Sequence, residues 1–163
     1  MARDERTVRL RPIRTEEFPA FWEASKAGYA HGIEVHGGQS HAAAQRKADA
    51  DMATVLPKGL ETPGHTIFLV EADGEAVGRL WLAERESGGR RALFVYDITI
   101  DDEHQGRGFG RAAMRLAEAE ARARGMWRIE LNVFGGNDVA RGLYRSLGYV
   151  ETSVQMAKDL AEG

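Results

Sequence analysis

The chain has 163 residues, of which 43% are hydrophobic and 29% are charged, and its net charge is -3. This composition is typical of one soluble domain, and the small acidic excess argues against a general binder of nucleic acid or membrane surfaces. The absence of cysteine excludes a disulfide scaffold, a thiolate metal site and a cysteine nucleophile. No apolar run is long enough for a signal peptide or a membrane span, so a single cytoplasmic domain over residues 1–163 is expected.

The first half of the chain predicts one strand followed by two helices. Residues Thr7 to Ile13 favour a strand, and Thr15 is suited to cap a helix whose first turn is acidic. One side of that helix should carry Phe18, Phe21, Trp22 and Ser25. The glycine-bearing segment from Gly28 to Gly38 is interpreted as a surface loop, with a part in an acceptor site as the alternative. Ser40 to Leu56 is helical in composition and stops before a proline.

The middle of the chain predicts an antiparallel meander. His65 to Glu71 and Ala76 to Glu84 favour strands, and Asp73-Gly74 between them is a typical hairpin turn. A third strand is predicted over Arg91 to Ile100, after a second glycine turn. These segments together predict a sheet with two helices inserted after its first strand.

Alternating helices and strands are predicted for the rest of the chain. The helix that ends at Gly125 should pack on the sheet through Phe109, Ala113, Leu116 and Ala117. A strand over Arg128 to Phe134 and a helix over Asp138 to Leu147 follow it. Tyr149 to Lys158 is predicted to supply one or two last strands.

A glycine turn joins the strand ending at Ile100 to the next helix. It reads Gln105-Gly106-Arg107-Gly108-Phe109-Gly110 and is followed by Arg111. Alternating glycines free the backbone and clear side chains from its amides, while the start of a helix attracts anions. The dinucleotide fingerprint would need glycine where Arg111 stands, and no G-x-x-x-x-G-K-[ST] loop is present. The turn therefore indicates an anion site outside both of those nucleotide-binding classes.

The glycine turn resembles the acyl-coenzyme A loop of the GCN5-related N-acetyltransferase (GNAT) family, whose pattern is matched by Gln105, Gly108 and Gly110. A second motif of the family appears downstream in LNVFGGNDVARGLYRSLGY, which contains Asn137 and Tyr144. The resemblance covers roughly residues 92 to 150 and implies an α/β fold. That fold has a mixed, mostly antiparallel sheet of about seven strands with helices on both faces.

The resemblance also implies a donor site for acetyl-CoA, with no metal. The backbone of Gln105 to Arg111 would hold the diphosphate, and the backbone of Ile98, Thr99 and Ile100 would pair with the pantetheine arm. The donor would fill a gap between two splayed parallel strands, at 91–100 and 128–134. Asn137 is expected to contact the donor, although an N-cap of the following helix is an equally natural role for it.

Catalytic residues are inferred from the same resemblance. Tyr144 matches the general acid of the family, with packing as its alternative role. The positions at which relatives supply a base carry residues that cannot take a proton readily, namely Phe94, Tyr96 and Asn132. An alkyl amine is neutral in only about one molecule in 2,500 at pH 7, a penalty of about 4.6 kcal/mol, so a route for proton removal is needed.

Asp97 is the hypothesised base. Strict strand alternation points it away from the face of Phe94 and Tyr96, and a β-bulge would re-aim it. A chain of ordered water, Glu34, or an acceptor amine of low pKa are the alternatives. His31, His36 and His41 do not share one helix face and lack partners for a metal site, so they are interpreted as surface residues.

Two functions follow from the sequence. The first is an N-acetyltransferase acting on a primary amine of a small molecule or peptide, by direct attack in a ternary complex. The alternative is a catalytically silent acyl-CoA-binding regulatory domain. Neither nucleic acid nor membrane is expected as a partner, and a homodimer is possible because family members often form one.

Overall fold

The computed structural model describes residues 7–161, which form a five-stranded sheet with helices on both faces. Residues 1–6, on which the expected lack of a signal peptide partly rests, lie outside this range. The elements are β1 (Val8–Pro12), α1 (Phe18–Gly37), α2 (His41–Val55), β2 (His65–Ala72), β3 (Glu75–Ser87), β4 (Arg90–Ile100), α3 (Phe109–Ala123), β5 (Ile129–Leu131) and α4 (Asp138–Ser146). None of the described helices has the length and apolar character needed to cross a membrane.

The order of strands in the sheet follows the order of the chain. Neighbours are antiparallel from β1 to β4, whereas β4 and β5 are parallel. The meander predicted from the sequence is thereby confirmed. At the β2–β3 turn, Asp73 and Gly74 both adopt left-handed backbone conformations, with φ of 52° and 82°, as a tight hairpin requires.

Each face of the sheet carries its own hydrophobic core. On one face α3 packs through Phe109, Ala113 and Ala117, with α4 contributing Tyr144 and Leu147 at the margin. On the other face α1 and α2 cover a smaller cluster, which includes Phe21, Met52, Leu56, Ile67 and Trp81. The predicted face of α3 is confirmed at Phe109, Ala113 and Ala117, which recur at helical spacing. Leu116 is not part of this core cluster, whereas Met114 and Ala121 are.

The segment from Gly28 to Gly38, predicted to be a loop, is the second half of α1, so that prediction was wrong. Gly28 and Gly32 serve close packing rather than a turn, whereas Gly38 is the left-handed C-cap that ends the helix at Gly37. A Cβ at Gly28 would lie 3.2 Å from the Arg79 guanidinium, and one at Gly32 would lie 2.8 Å from the Phe134 ring. Glycine inside a helix lowers its stability modestly, but here it lets the Arg79 and Phe134 side chains pack directly against α1.

The prediction of about seven strands was also wrong, since the described sheet has five. Strand β5 spans Ile129–Leu131 rather than 128–134, because the chain leaves β4 after that point. Residues 149–161 form no strand, although their composition favours one. A strand exists only where a neighbour completes its hydrogen bonds, and within the described chain this segment has no such neighbour.

We predict that Gly78→Ala destabilises the fold by about 1–3 kcal/mol, as overpacked sites do. A Cβ at Gly78 would lie 2.3 Å from the Thr99 carbonyl oxygen, so β3 and β4 would have to separate. Chemical denaturation measures the change. Gly142→Ala is the control, because it lies in α4 with nothing within 4 Å of the added carbon; it should leave stability unchanged or raise it. Equal effects of the two substitutions would contradict this reading.

Candidate active site

Strands β4 and β5 pair over only three positions and then separate. Leu93 pairs with Ile129, Phe94 with Glu130 and Val95 with Leu131. Beyond them β4 continues to Ile100 with its outer edge facing no other strand of the described sheet. We call this opening, between residues 96–100 and the chain that follows β5, the strand gap. Its β4 edge is available for hydrogen bonds to an extended ligand.

A β-bulge lies at the mouth of the strand gap. On β3, the neighbouring residues Trp81 and Leu82 pair with Asp97 and Val95, so Tyr96 is the additional residue of β4. The bulge reverses the alternation of side chains beyond it. Asp97 therefore lies on the same face of the sheet as Trp81 and Phe94, the face covered by α1.

The Asp97 carboxylate is held by three donors. Its Oδ2 accepts hydrogen bonds from Ser25 Oγ at 2.7 Å and from Arg79 Nε at 2.6 Å, and its Oδ1 accepts one from Thr99 Oγ1 at 2.7 Å. The Arg79 and Asp97 side chains are 13% and 14% exposed, so little solvent screens this ion pair. The pair joins β3, β4 and α1 at one point and fixes the orientation of the carboxylate.

The glycine loop forms an open cradle at the far end of β4. Gly106 and Gly108 both have left-handed backbone conformations, with φ of 76° and 84°. Apart from their chain neighbours, no heavy atom of residues 7–161 lies within 4 Å of the Cβ position of either glycine. No side chain caps the start of α3. The Gln105 amide donates to the Ile100 carbonyl oxygen at 2.9 Å, which ties the loop to the strand. The cradle thus presents backbone N–H groups with room for an anion.

Two arginines flank the cradle in different ways. Within the described part of the chain, the Arg107 guanidinium has no hydrogen-bond or ion-pair partner and lies on an exposed loop. Arg111 instead donates from Nη2 to Ser146 Oγ at 2.8 Å, which links α3 to the end of α4. Phe109 is buried in the core, so only its backbone faces the loop. Arg107 is thus the cation left available to an anionic ligand.

Asn137 caps α4. Its Oδ1 accepts a hydrogen bond from the backbone N–H of Ala140 at 3.2 Å. The capping role weighed from the sequence is therefore real. The side-chain Nδ2 donates to no acceptor among residues 7–161, so one polar group remains available to a ligand.

Tyr144 lies on α4 beside the strand gap, half-buried against the larger core. Burial raises the pKa of its phenol, and the negative charge of Asp97 raises the pKa further. Tyr144 belongs, with Ile98 and Ile100 of β4, to the half-buried residues that pack against this core. A phenol with a raised pKa keeps its proton at neutral pH, which suits an acid and not a base.

The α1 side of the gap is lined by aromatic rings. Tyr96 stacks on Trp81 at 4.8 Å between ring centroids and meets Phe94 edge-on at 4.7 Å. His65 stacks on Tyr96 at 5.6 Å, and burial lowers the pKa of its imidazole. We call these four residues the aromatic shelf. Tyr96 is 40% exposed, so the shelf offers an apolar surface to a ligand.

The C-terminal part of α1 contacts the loop that follows β5. The Phe134 ring lies against Gly32 and stacks on His36 at 5.7 Å between ring centroids. Glu34, weighed as a base from the sequence, accepts from His41 Nδ1 at 2.9 Å instead. In residues 7–161 no group of three or more His, Cys, Asp or Glu side chains is arranged to hold a metal.

Sequence reasoning missed Arg79 and the role of Ser25. Both carried a detectable signal, because Arg79 interrupts an apolar strand and Ser25 lies on the apolar side of α1. A polar residue on a buried face needs a partner, and a nearby carboxylate is a natural one. Which carboxylate it would be could not be read from the sequence, because the bulge decides it.

Comparison with known proteins identifies the family. The Acetyltransferase (GNAT) family matches residues 9–149. The chain belongs to the GNAT family. YycN of Bacillus subtilis, named an N-acetyltransferase, is 31% identical over 155 residues, which are 94% of this chain and 99% of YycN. The crystal structure of YycN superposes on this chain with a TM-score of 0.90. The superposition covers 96% of this chain and 100% of the YycN chain.

A second group of relatives matches a shorter part of this GNAT chain. Mycothiol acetyltransferase of Saccharomonospora viridis is 37% identical over 99 residues, which are 56% of this chain and 32% of that protein. The resemblance stated from the two sequence motifs is therefore confirmed at the level of the family and its fold.

Proposed function

We propose that this protein is a single-domain N-acetyltransferase. It would transfer the acetyl group of acetyl-CoA to a primary amine of a small molecule or peptide by direct attack in a ternary complex. The observation that supports this most is the strand gap, which has the open glycine cradle at one end and Tyr144 and Asp97 beside it. Membership of the GNAT family supports the same reaction class.

The donor site would use main-chain groups for most of its contacts. N–H groups of Gly106 to Arg111 would bind the diphosphate, with Arg107 adding a charge-assisted hydrogen bond. The free β4 edge at Ile98, Thr99 and Ile100 would pair with the amides of the pantetheine arm, as an added strand does. Asn137 would donate from Nδ2. The open space at both glycines supports this fit, because a Cβ there would narrow the cradle.

The chemical step forms one bond and breaks another. The neutral amine nitrogen bonds to the thioester carbonyl carbon, the carbon–sulfur bond breaks, and the sulfur departs with the electron pair. Tyr144 would donate its proton to that sulfur. Between an ordinary phenol and an ordinary thiol this transfer is uphill by about 2 kcal/mol. Burial raises the pKa of the Tyr144 phenol. An apolar environment would also raise the pKa of the departing thiol, so the two shifts would act in the same direction.

Asp97 would receive the proton that the amine loses. Among the described residues, its Oδ2 accepts hydrogen bonds from Ser25 and Arg79, whereas its Oδ1 accepts one only from Thr99. A carboxylate oxygen has two lone pairs, so Oδ1 retains one site for a proton. Asp97 would then pass the proton onward to solvent.

A small-molecule acceptor is favoured over a peptide by the similarity to mycothiol acetyltransferases. The aromatic shelf next to Asp97 would contact the apolar part of such an acceptor, while the carboxylate attracts its amine. An amine panel should therefore contain alkyl amines, amino sugars and free peptide N-termini, with acetyl-CoA as donor and release of free thiol as the readout.

Tyr144→Phe should lower kcat by about 100-fold or more, because it removes the general acid. Wild-type kcat should hold into alkaline pH and fall only as pH rises through the raised pKa of Tyr144, and the variant should lack that fall. The control is Tyr149→Phe, which alters the neighbouring ring 5.9 Å away and should retain the wild-type rate. Equal rates for Tyr144→Phe and wild type would exclude the acid role.

Asp97→Asn should lower kcat/KM by about 100-fold near neutral pH, since it removes the proton acceptor. The deficit should shrink as pH rises, because more of the amine is then already neutral. Ser25→Ala is the control that keeps the carboxylate and loses one hydrogen bond, and a thermal melt checks folding of both variants. Turnover by Asp97→Asn that matches wild type from about pH 6 to 9 would rule out Asp97 as base.

A further inference from the structure

His65 is the member of the aromatic shelf that lies farthest from the strand gap. Ala83 of β3 pairs with His65 of β2 on one side and with Phe94 of β4 on the other. Directly paired residues share a face of the sheet, so the three side chains form one row across it. The half-buried His65 ring stacks on Tyr96, which is 40% exposed. The shelf thus runs from the reacting groups on β4 to the start of β2.

The Trp81 indole fixes the position of the proton on the His65 ring. Trp81 Nε1–H donates to His65 Nδ1 at 3.0 Å. An indole N–H can only donate, so Nδ1 is the unprotonated nitrogen of the ring. Burial lowers the pKa of this imidazole, which therefore stays neutral at physiological pH and carries its one proton on Nε2. His65 is thus an oriented hydrogen-bond donor without a charge.

The Nε2–H group of His65 is available to a ligand. Among residues 7–161 it donates to no acceptor. It is not sealed in the core either, because the one buried side-chain nitrogen or oxygen without a partner in that range is Nδ1 of His104. A donor of this kind is destabilised when an apolar group covers it and forms a hydrogen bond when an oxygen does. The donor can therefore discriminate between ligands.

A cavity of about 210 Å³ opens beside His65. It is lined by residues 12–13, 59–60 and 65–67, and Pro12, Ile13, Leu60 and Ile67 make it mostly apolar. Sites that enclose a whole drug-sized ligand occupy about 300–1,000 Å³. The cavity is smaller than that, so it suits one end of a molecule whose other end lies elsewhere on the shelf.

The cavity lies within reach of the same molecule as Asp97. Strand β3 separates β2 from β4, and Asp97 pairs with Trp81, two residues along β3 from the partner of His65. A strand spacing of about 4.8 Å and a rise of about 3.3 Å per residue place the two backbones about 12 Å apart. Tyr96 precedes Asp97 and stacks on His65, so its exposed ring connects the two positions.

We propose that this cavity binds the distal end of the acceptor, and that His65 donates from Nε2 to an uncharged hydroxyl or carbonyl oxygen there. The substrate class is then a primary amine with an apolar chain and an oxygen at its far end. The amine lies at Asp97, the chain crosses Tyr96 and the oxygen enters the cavity. Because the donor is neutral, burying an anion beside it would cost more than burying an uncharged oxygen. This inference rests on the proposed function and specifies its substrate.

Two amines of equal length test the hydrogen bond, with acetyl-CoA as donor and release of free thiol as the readout. Aminohexanol carries a terminal hydroxyl group where heptylamine carries a methyl group. The ratio of their kcat/KM values, alcohol over alkane, should fall about tenfold in His65→Phe, which keeps a stacked ring and loses the N–H. His31→Phe is the control, because it changes an exposed histidine of α1, and it should keep the wild-type ratio.

Leu60→Trp tests the cavity without touching the donor. It is needed because Trp81 loses its acceptor in His65→Phe, whose folding a thermal melt checks. Leu60 lines the cavity, so the larger side chain should fill it and lower kcat/KM for both long amines by about tenfold. Propylamine is too short to reach the cavity, and its kcat/KM should be unchanged.

The outcomes separate this inference from the proposed function. An unchanged ratio in His65→Phe, or equal losses for propylamine and heptylamine in Leu60→Trp, would overturn the inference while acetyl transfer to amines stands. Turnover of propylamine without turnover of either long amine would overturn it as well. Failure of the wild type to release thiol with any amine would contradict the proposed function itself, and the inference with it.

Discussion

The separation of β4 from β5 after Val95 and Leu131 is the constraint on which the rest of the site depends. If the pairing continued, the backbone groups at the β4 edge would all be hydrogen-bonded to β5, and no extended ligand could pair with them. The bulge at Tyr96 lies next to that separation and turns Asp97 toward α1. Gly78 lets β3 approach the same stretch of β4 closely, so the strand is supported on one side while the other stays open.

Side chains from β3, α1 and α4 surround this opening. The Arg79 ion pair and the Ser25 hydroxyl hold Asp97 from the β3 and α1 side. Helix α4 brings Tyr144 from the opposite side, and burial together with the charge of Asp97 keeps its phenol protonated. The proposed acid and the proposed base thus approach the opening from different elements.

Local patterns predicted much of this molecule. The strands and the hairpin of the meander, the apolar face of α3, the cap at Asn137 and the glycine cradle all depend on residues close in sequence. The features that could not be predicted depend on contacts between residues that are far apart in the sequence. Glycines at 28 and 32 favour a loop in the sequence. They lie in a helix because Arg79 of β3 and Phe134 after β5 pack against them, and those contacts cannot be read from neighbouring residues. Asp97 could be assigned a face only with the register shift against Trp81 known. The predicted last strands are absent because, within residues 7–161, no strand pairs with that segment.

The central claim is that backbone N–H groups of the glycine cradle bind the diphosphate of coenzyme A. Calorimetric titration of the purified protein with coenzyme A and with pantetheine, which lacks the diphosphate, tests it most directly. Two charge-assisted hydrogen bonds lost with the diphosphate should weaken pantetheine by about a hundredfold or more. Equal affinity for the two compounds, or no response to coenzyme A at millimolar excess, would contradict the claim.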